Sequence, residues 1–177
     1  MKVLFLTVLL GTVSCAMANT NDEGAHKAQI IKQLLSVVEW PTGSIPNDSF
    51  NICTLGEFPS IKSITDLNGN EVKHRKIIVR QLHKISEAQN NCQLIYISTS
   101  EEKDTQKIIK AFAHKPVLLV GDMEHFAENG GSFNFTQLNK DLALTINLNT
   151  LKDGHLVIDL KAYQQITIFP ELKEINK

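Results

Sequence analysis

Gln93-Leu94-Ile95-Tyr96-Ile97-Ser98 runs directly into Thr99-Ser100-Glu101-Glu102, and these ten residues decide the fold. The first part is a near-continuous apolar run of strand length, the pattern of a strand buried on both faces of a parallel sheet. The second part opens a helix. Ser98 with Glu101, or Thr99 with Glu102, has the spacing of a capping box. Ile108, Ile109, Phe112 and Ala113 give that helix its apolar face. Pro116-Val117-Leu118-Leu119-Val120-Gly121 is then a second buried strand. Strand, helix and parallel strand in succession place the chain among α/β proteins.

The pattern extends in both directions. Upstream, Ser49 to Leu55 reads as a strand ending at Gly56. A short helix is expected over Pro59 to Leu67, a turn at Asn68-Gly69-Asn70 and a β-branched strand over Lys76 to Arg80. Ile85 to Asn91 holds a helical turn. Further back, Ala25, Ala28, Ile31, Leu34, Leu35 and Val38 recur at threes and fours, which predicts an amphipathic helix from about Asp22 to Glu39. Asp22 or Asn21 can cap it, and Trp40-Pro41 stops it, because a residue before proline is pushed out of the α region. Downstream, Asp122 is expected to cap a short helix through Phe126 and Ala127, closed by Asn129-Gly130-Gly131. Ser132 to Leu138 and Asp141 to Leu148 then alternate about a turn at Asn139-Lys140, an antiparallel hairpin. His155 to Phe169 mixes strand-like ends, Leu156-Val157-Ile158 and Ile166-Thr167-Ile168, with a helix-like middle. The expected fold is a three-layer α/β/α sandwich with a mixed, mainly parallel sheet.

Met1-Lys2, the apolar run Val3 to Val13 and Ala16-Met17-Ala18 have the layout of a secretory signal peptide cleaved after Ala18. The run is shorter than the ~20 apolar residues that span a bilayer. Lipidation at Cys15 is the competing reading, although Thr12 stands where an aliphatic residue is usual. Residues 19–177 then form a single domain. Losing Lys2 takes the formal charge from −1 to −2, so no nucleic-acid footprint is present. Of the three cysteines, Cys53 and Cys92 remain, and an even pair in an exported chain reads as a disulfide; two separate buried thiols are the alternative.

No local catalytic signature is present: neither a nucleophile elbow nor a P-loop occurs. Gly130-Gly131 lacks the remaining features of a dinucleotide fingerprint and reads as a helix cap. Histidines 26, 74, 83, 114, 125 and 155 show no zinc spacing. No cofactor or metal is expected. Ligands of open α/β sheets bind beyond the carboxyl ends of the strands. That rim would hold Thr54, Gly56 and Glu57, then Ser98, Thr99 and Ser100, then Gly121 and Asp122. Its hydroxyls could hold an anion, or serve only as helix caps. Trp40 is either a partner contact or an aromatic closing the helix onto the sheet.

The order of motifs resembles the YfiR-like family of periplasmic proteins. Val38-Glu39-Trp40-Pro41 is similar to the family's Glu-Trp-Pro helix end, and Phe50 to Gly56 to its cysteine-bearing first strand. His74 to Arg80 resembles its next strand, and Cys92 to Ser98 its second cysteine and buried strand. Lys115 to Asp122, Phe126-Ala127, Gly130 to Phe135 and Ile146-Asn147-Leu148 complete the set. Two features depart from the family: Ile158 to Tyr163 replaces its paired serines and Leu-Leu helix, and the second disulfide of some members has no cysteines here. The resemblance implies a binding protein, not an enzyme. Its partner would be the periplasmic region of an inner-membrane diguanylate cyclase of the YfiN type, which it represses, lowering cyclic di-GMP and biofilm formation. A YfiB-type outer-membrane lipoprotein could sequester it, and it could form a homodimer. A small-solute-binding protein and a sensor partner of a histidine kinase are the other expectations.

Overall fold

The computed structural model describes residues 20–46, 49–59, 61–88, 91–138, 141–159, 161 and 166–169. The segment expected to be a signal peptide, with Cys15, the turn expected at 139–140 and most of the helix-like middle of the last segment lie outside them.

Buried apolar runs form the centre. Strands β2 (Ser49–Leu55), β5 (Leu94–Ile97) and β6 (Leu118–Gly121) are buried along their whole length. Helix α1 (Thr20–Val37) and the two-residue strand β1 (Val38–Glu39) precede them. Helix α2 (Ile61–Thr65), β3 (Glu71–Val72) and β4 (Arg75–Leu82) lie between β2 and β5. Helix α3 (Thr105–Phe112) joins β5 to β6, and β7 (Phe133–Leu138), β8 (Asp141–Asn147), α4 (Leu148–Asp153), β9 (Val157–Ile158) and β10 (Ile166–Phe169) follow.

Among the described residues, eight strands form one sheet in the order β10-β8-β7-β6-β5-β2-β4-β3. The β7–β8 and β3–β4 pairings are antiparallel and the others parallel. The mixed, mainly parallel sheet follows the expectation, including the 133–147 hairpin.

Strand periodicity divides the core in two. Phe50, Ile52, Leu94, Tyr96, Leu118 and Val120 point to one face and pack with Ile31, Leu34 and Leu35 of α1 and Ile64 of α2. Cys53, Leu55, Ile95, Ile97 and Leu119 point to the other and meet Ile108 and Phe112 of α3. The result is an α/β/α layering. Cys53 and Cys92 are joined by a disulfide inside the second core, with Cα atoms 5.9 Å apart.

Several local expectations are corrected. Helix α1 starts at Thr20, so Asn21 and Asp22 lie in its first turn rather than before it. It stops at Val37, two residues early, because Val38 and Glu39 leave the helix to pair with Ile158 and Val157 as a separate antiparallel ribbon. Helix α2 is a single turn and does not reach Pro59 or Leu67. The segment opening α3 is a 3-10 helix, Thr99–Asp104, in which Ser98 accepts from the Ser100 N–H rather than completing a box with Glu101. The 122–131 segment is a series of turns with no helix, so Asp122 caps none. Four of the six histidines, His74, His114, His125 and His155, occupy left-handed turn positions. Histidine tolerates that conformation better than most side chains.

Candidate functional site

The chain passes from β2 outward to β4 and then returns past β2 to β5. This reversal is a topological switch point, where a crevice normally opens between the carboxyl ends of the two diverging strands. Here it is closed by short-range bonds. The Ser98 N–H donates to Leu55 O at 2.9 Å, the Ser98 hydroxyl donates to Glu57 O, and the Glu57 N–H donates to Ser100 Oγ at 3.0 Å. Gly56, at φ +94°, makes this approach possible, since a Cβ there would lie 2.5 Å from Ser100 Oγ and 2.9 Å from Ser98 Cβ.

The predicted rim therefore divides. Gly56, Glu57, Ser98 and Ser100 are stitched to one another. Thr54 lies within the sheet, fully buried, and Thr99 is exposed on the 3-10 turn. Gly121 is buried under the Phe126 ring, 2.7 Å from where its Cβ would stand. Gly131 faces the same ring, which gives the Gly130-Gly131 turn a packing role. Trp40 is half-buried with its ring 5.3 Å from that of Phe50, so it closes the chain against the sheet beside α1.

Asp122 belongs to a different cluster, on the α1 face. The Tyr96 hydroxyl donates to Asp122 Oδ2 at 2.6 Å. Lys27 Nζ lies 3.2 Å from Asp122 Oδ1 and 2.8 Å from Glu23 Oε1, with the Phe135 ring 5.6 Å away. Phe58 stacks against Tyr96 at 4.6 Å between centroids. Together with Pro59 and Ile64, all of these residues but Phe135 line a cavity of about 160 Å³. Sequence reading named Asp122 both as a cap and as a residue of the rim, and it missed Lys27, Glu23, Phe58 and Tyr96. One signal was present: Glu23 and Lys27 stand four residues apart on a helix, the spacing of an ion pair.

The lysine and the phenol of this cluster both hold their protons. Burial pulls Lys27 down, but Glu23 and Asp122 outweigh it and hold its pKa above the usual 10.5. Lys27 is thus a cation and a poor nucleophile. Burial, followed by the charge and hydrogen bond of Asp122, raises the Tyr96 phenol above its usual 10.0, so it keeps its proton. An activated base would require the reverse shift. Among the described residues no group of three or more His, Cys, Asp or Glu side chains is placed to hold a metal ion, and no helix is long and apolar enough to cross a membrane.

A protein-family model described as YfiR/HmsC-like matches residues 25–161. No curated protein matches the chain.

Proposed function

The chain belongs to the YfiR/HmsC-like family, and on that premise we propose that it is an exported regulator that binds the periplasmic region of a membrane-bound diguanylate cyclase of the YfiN type and represses it. Family membership supports a regulatory role in diguanylate cyclase signalling in general; the direction of control and the YfiN-type partner are the finer proposal. Residues 1–18 would be removed on export, leaving the α/β domain in the periplasm.

The observation that carries this reading is the match over residues 25–161, which takes in both core clusters and the Lys27–Asp122 site. The Lys27–Asp122 ion pair beside the Phe58–Tyr96 cavity supports it, as charged and aromatic surface that a partner's side chains could meet.

The test is cellular cyclic di-GMP with and without the gene. A rise on deletion, reversed by the wild-type gene, is expected. An unchanged level in a strain that expresses the protein would remove the cyclase role.

A further inference from the structure

Two hollows meet at the Lys27–Asp122 pair. The first, about 160 Å³, is walled by Phe58, Ile64 and Tyr96. The second, about 500 Å³, shares Glu23, Lys27 and Asp122 with it and continues past Glu124, Glu128 and Phe135. One end of the combined groove is therefore aromatic and the other acidic.

The charge balance is uneven. Among the described residues, Glu23, Asp122, Glu124 and Glu128 line the groove against one ammonium, that of Lys27, which is already committed to Glu23 and Asp122. His125 lies between Glu124 and Glu128, at 3.6 and 3.9 Å, and offsets them only when protonated. Asn134, 1% exposed, also lines the second hollow. Its Oδ1 has no hydrogen-bond partner among the described residues, while its amide nitrogen donates to Phe135 O. The groove thus offers acceptors in excess.

Shape and charge, not volume, favour a chain segment over a small metabolite. The aromatic end alone is smaller than the ~300–1,000 Å³ pockets that enclose drug-sized ligands, and it continues into the larger hollow lined by carboxylates. One side chain can fill the first while its neighbours lie along the second. Aromatic and arginine side chains are the usual anchors of such interfaces.

We propose that this groove docks a cationic segment of the partner protein, with an apolar or aromatic side chain in the Phe58–Tyr96 end and a lysine or arginine along Glu124 and Glu128. The proposal rests on the reading of the chain as a protein-binding regulator. Opposite charge along the trough would speed encounter and select against acidic segments.

The test titrates the purified mature protein with a blocked Phe-Arg-Arg tripeptide and a blocked Phe-Glu-Glu control, followed by amide chemical shifts. Saturable shifts near Phe58, Tyr96 and residues 122–128 are expected for the basic peptide alone, weakening in high salt. Glu124→Lys with Glu128→Lys should lower affinity by roughly tenfold or more, because two attractive contacts become repulsive. No saturable shift, shifts located elsewhere, or equal affinity in the charge-reversed variant would overturn the groove. Complementation separates the two ideas. If deletion raises cyclic di-GMP and the charge-reversed variant restores it as well as wild type, the regulatory reading stands and the groove falls. If deletion changes nothing while the basic peptide binds as described, the groove stands and the cyclase falls.

Discussion

The Tyr96 hydroxyl donates a 2.6 Å hydrogen bond to Asp122 Oδ2, joining the penultimate residue of β5 to the residue that follows β6. It ties the ends of two neighbouring parallel strands and orients the carboxylate that also meets Lys27. Tyr96→Phe removes the donor and keeps the ring. A hydrogen bond to a charged acceptor contributes about 1.5–3 kcal/mol, and since Lys27 remains as a partner, a loss of about 1–2 kcal/mol is expected in urea denaturation at neutral pH.

The same bond sets a dependence on alkaline pH. Tyr96 is held above 10.0 in the fold by burial and by Asp122, so the unfolded chain loses that proton first. The contribution of Tyr96 to stability is fully present below pH 10 and is lost as pH rises above it. Lys27 acts in the same sense: its folded value lies above 10.5, so its contribution is present below 10.5 and lost at higher pH. Tyr96→Phe should therefore flatten part of the alkaline fall, seen as a smaller change in denaturation midpoint on either side of pH 10. The tyrosinate absorbance step of the folded protein should be unaltered by the substitution, because Tyr96 does not contribute to it.

The disulfide closes a loop with a sequence separation of 39 and lies in the second core, below α3. Constraining a loop of that length stabilises by at most about 4 kcal/mol on the chain-entropy model. Cys53→Ser should cost about 2–4 kcal/mol under oxidising conditions. Reductant should bring the wild type down to the variant's level and leave the variant unmoved. Equal melting temperatures for the two oxidised proteins would show that the bond contributes nothing.

What could be read from sequence divides along physical lines. β2, β5 and β6 were legible because strands buried on both faces are continuously apolar. β1 and β3 were not: each is two residues long and exists through its pairing partner, as when Val38 leaves α1 to meet Ile158, whose own strand-like character was visible. Helix α4 was missed because Asn147-Leu148 continued the alternation of β8. Asn147 in fact caps α4, accepting from the Asn149 and Thr150 N–H groups. At the site, residue types were visible and directions were not. Asp122 has the composition of a cap, and only the sheet order brings Tyr96 within reach of it. The hydroxyls of Ser98 and Ser100 were placed on the right rim, but their engagement with Glu57 depends on a left-handed Gly56 that no spacing reveals.

Gly56 is consequently the residue on which closure of the switch point turns. Alanine would be strained at φ +94°, and its Cβ would overlap Ser98 Cβ, which cannot rotate away. Gly56→Ala should destabilise by about 2–3 kcal/mol. Faster hydrogen exchange at the Glu57 and Ser98 amides should accompany it. Gly43 is also at positive φ, but a Cβ added there would meet nothing within 4 Å. It is the control for backbone strain alone, and its alanine variant should cost less.

Thr54 tests whether the rim has any polar role inside the sheet. It is fully buried between β4 and β5, and among the described residues its Oγ1 has no hydrogen-bond partner. An unsatisfied buried hydroxyl costs about 1–3 kcal/mol of desolvation, which an apolar group of the same shape avoids. Thr54→Val should therefore be neutral or stabilising by up to about 1 kcal/mol, unlike most substitutions at a fully buried position. Denaturation midpoints of wild type and variant, measured side by side, decide it. A loss of more than about 1 kcal/mol would mean that the hydroxyl is satisfied by an ordered water, since such waters are costly to remove. The carboxyl end of β2 would then contain a hydrated polar site directly beneath the Gly56 turn, and the rim would regain a reason to bind solute.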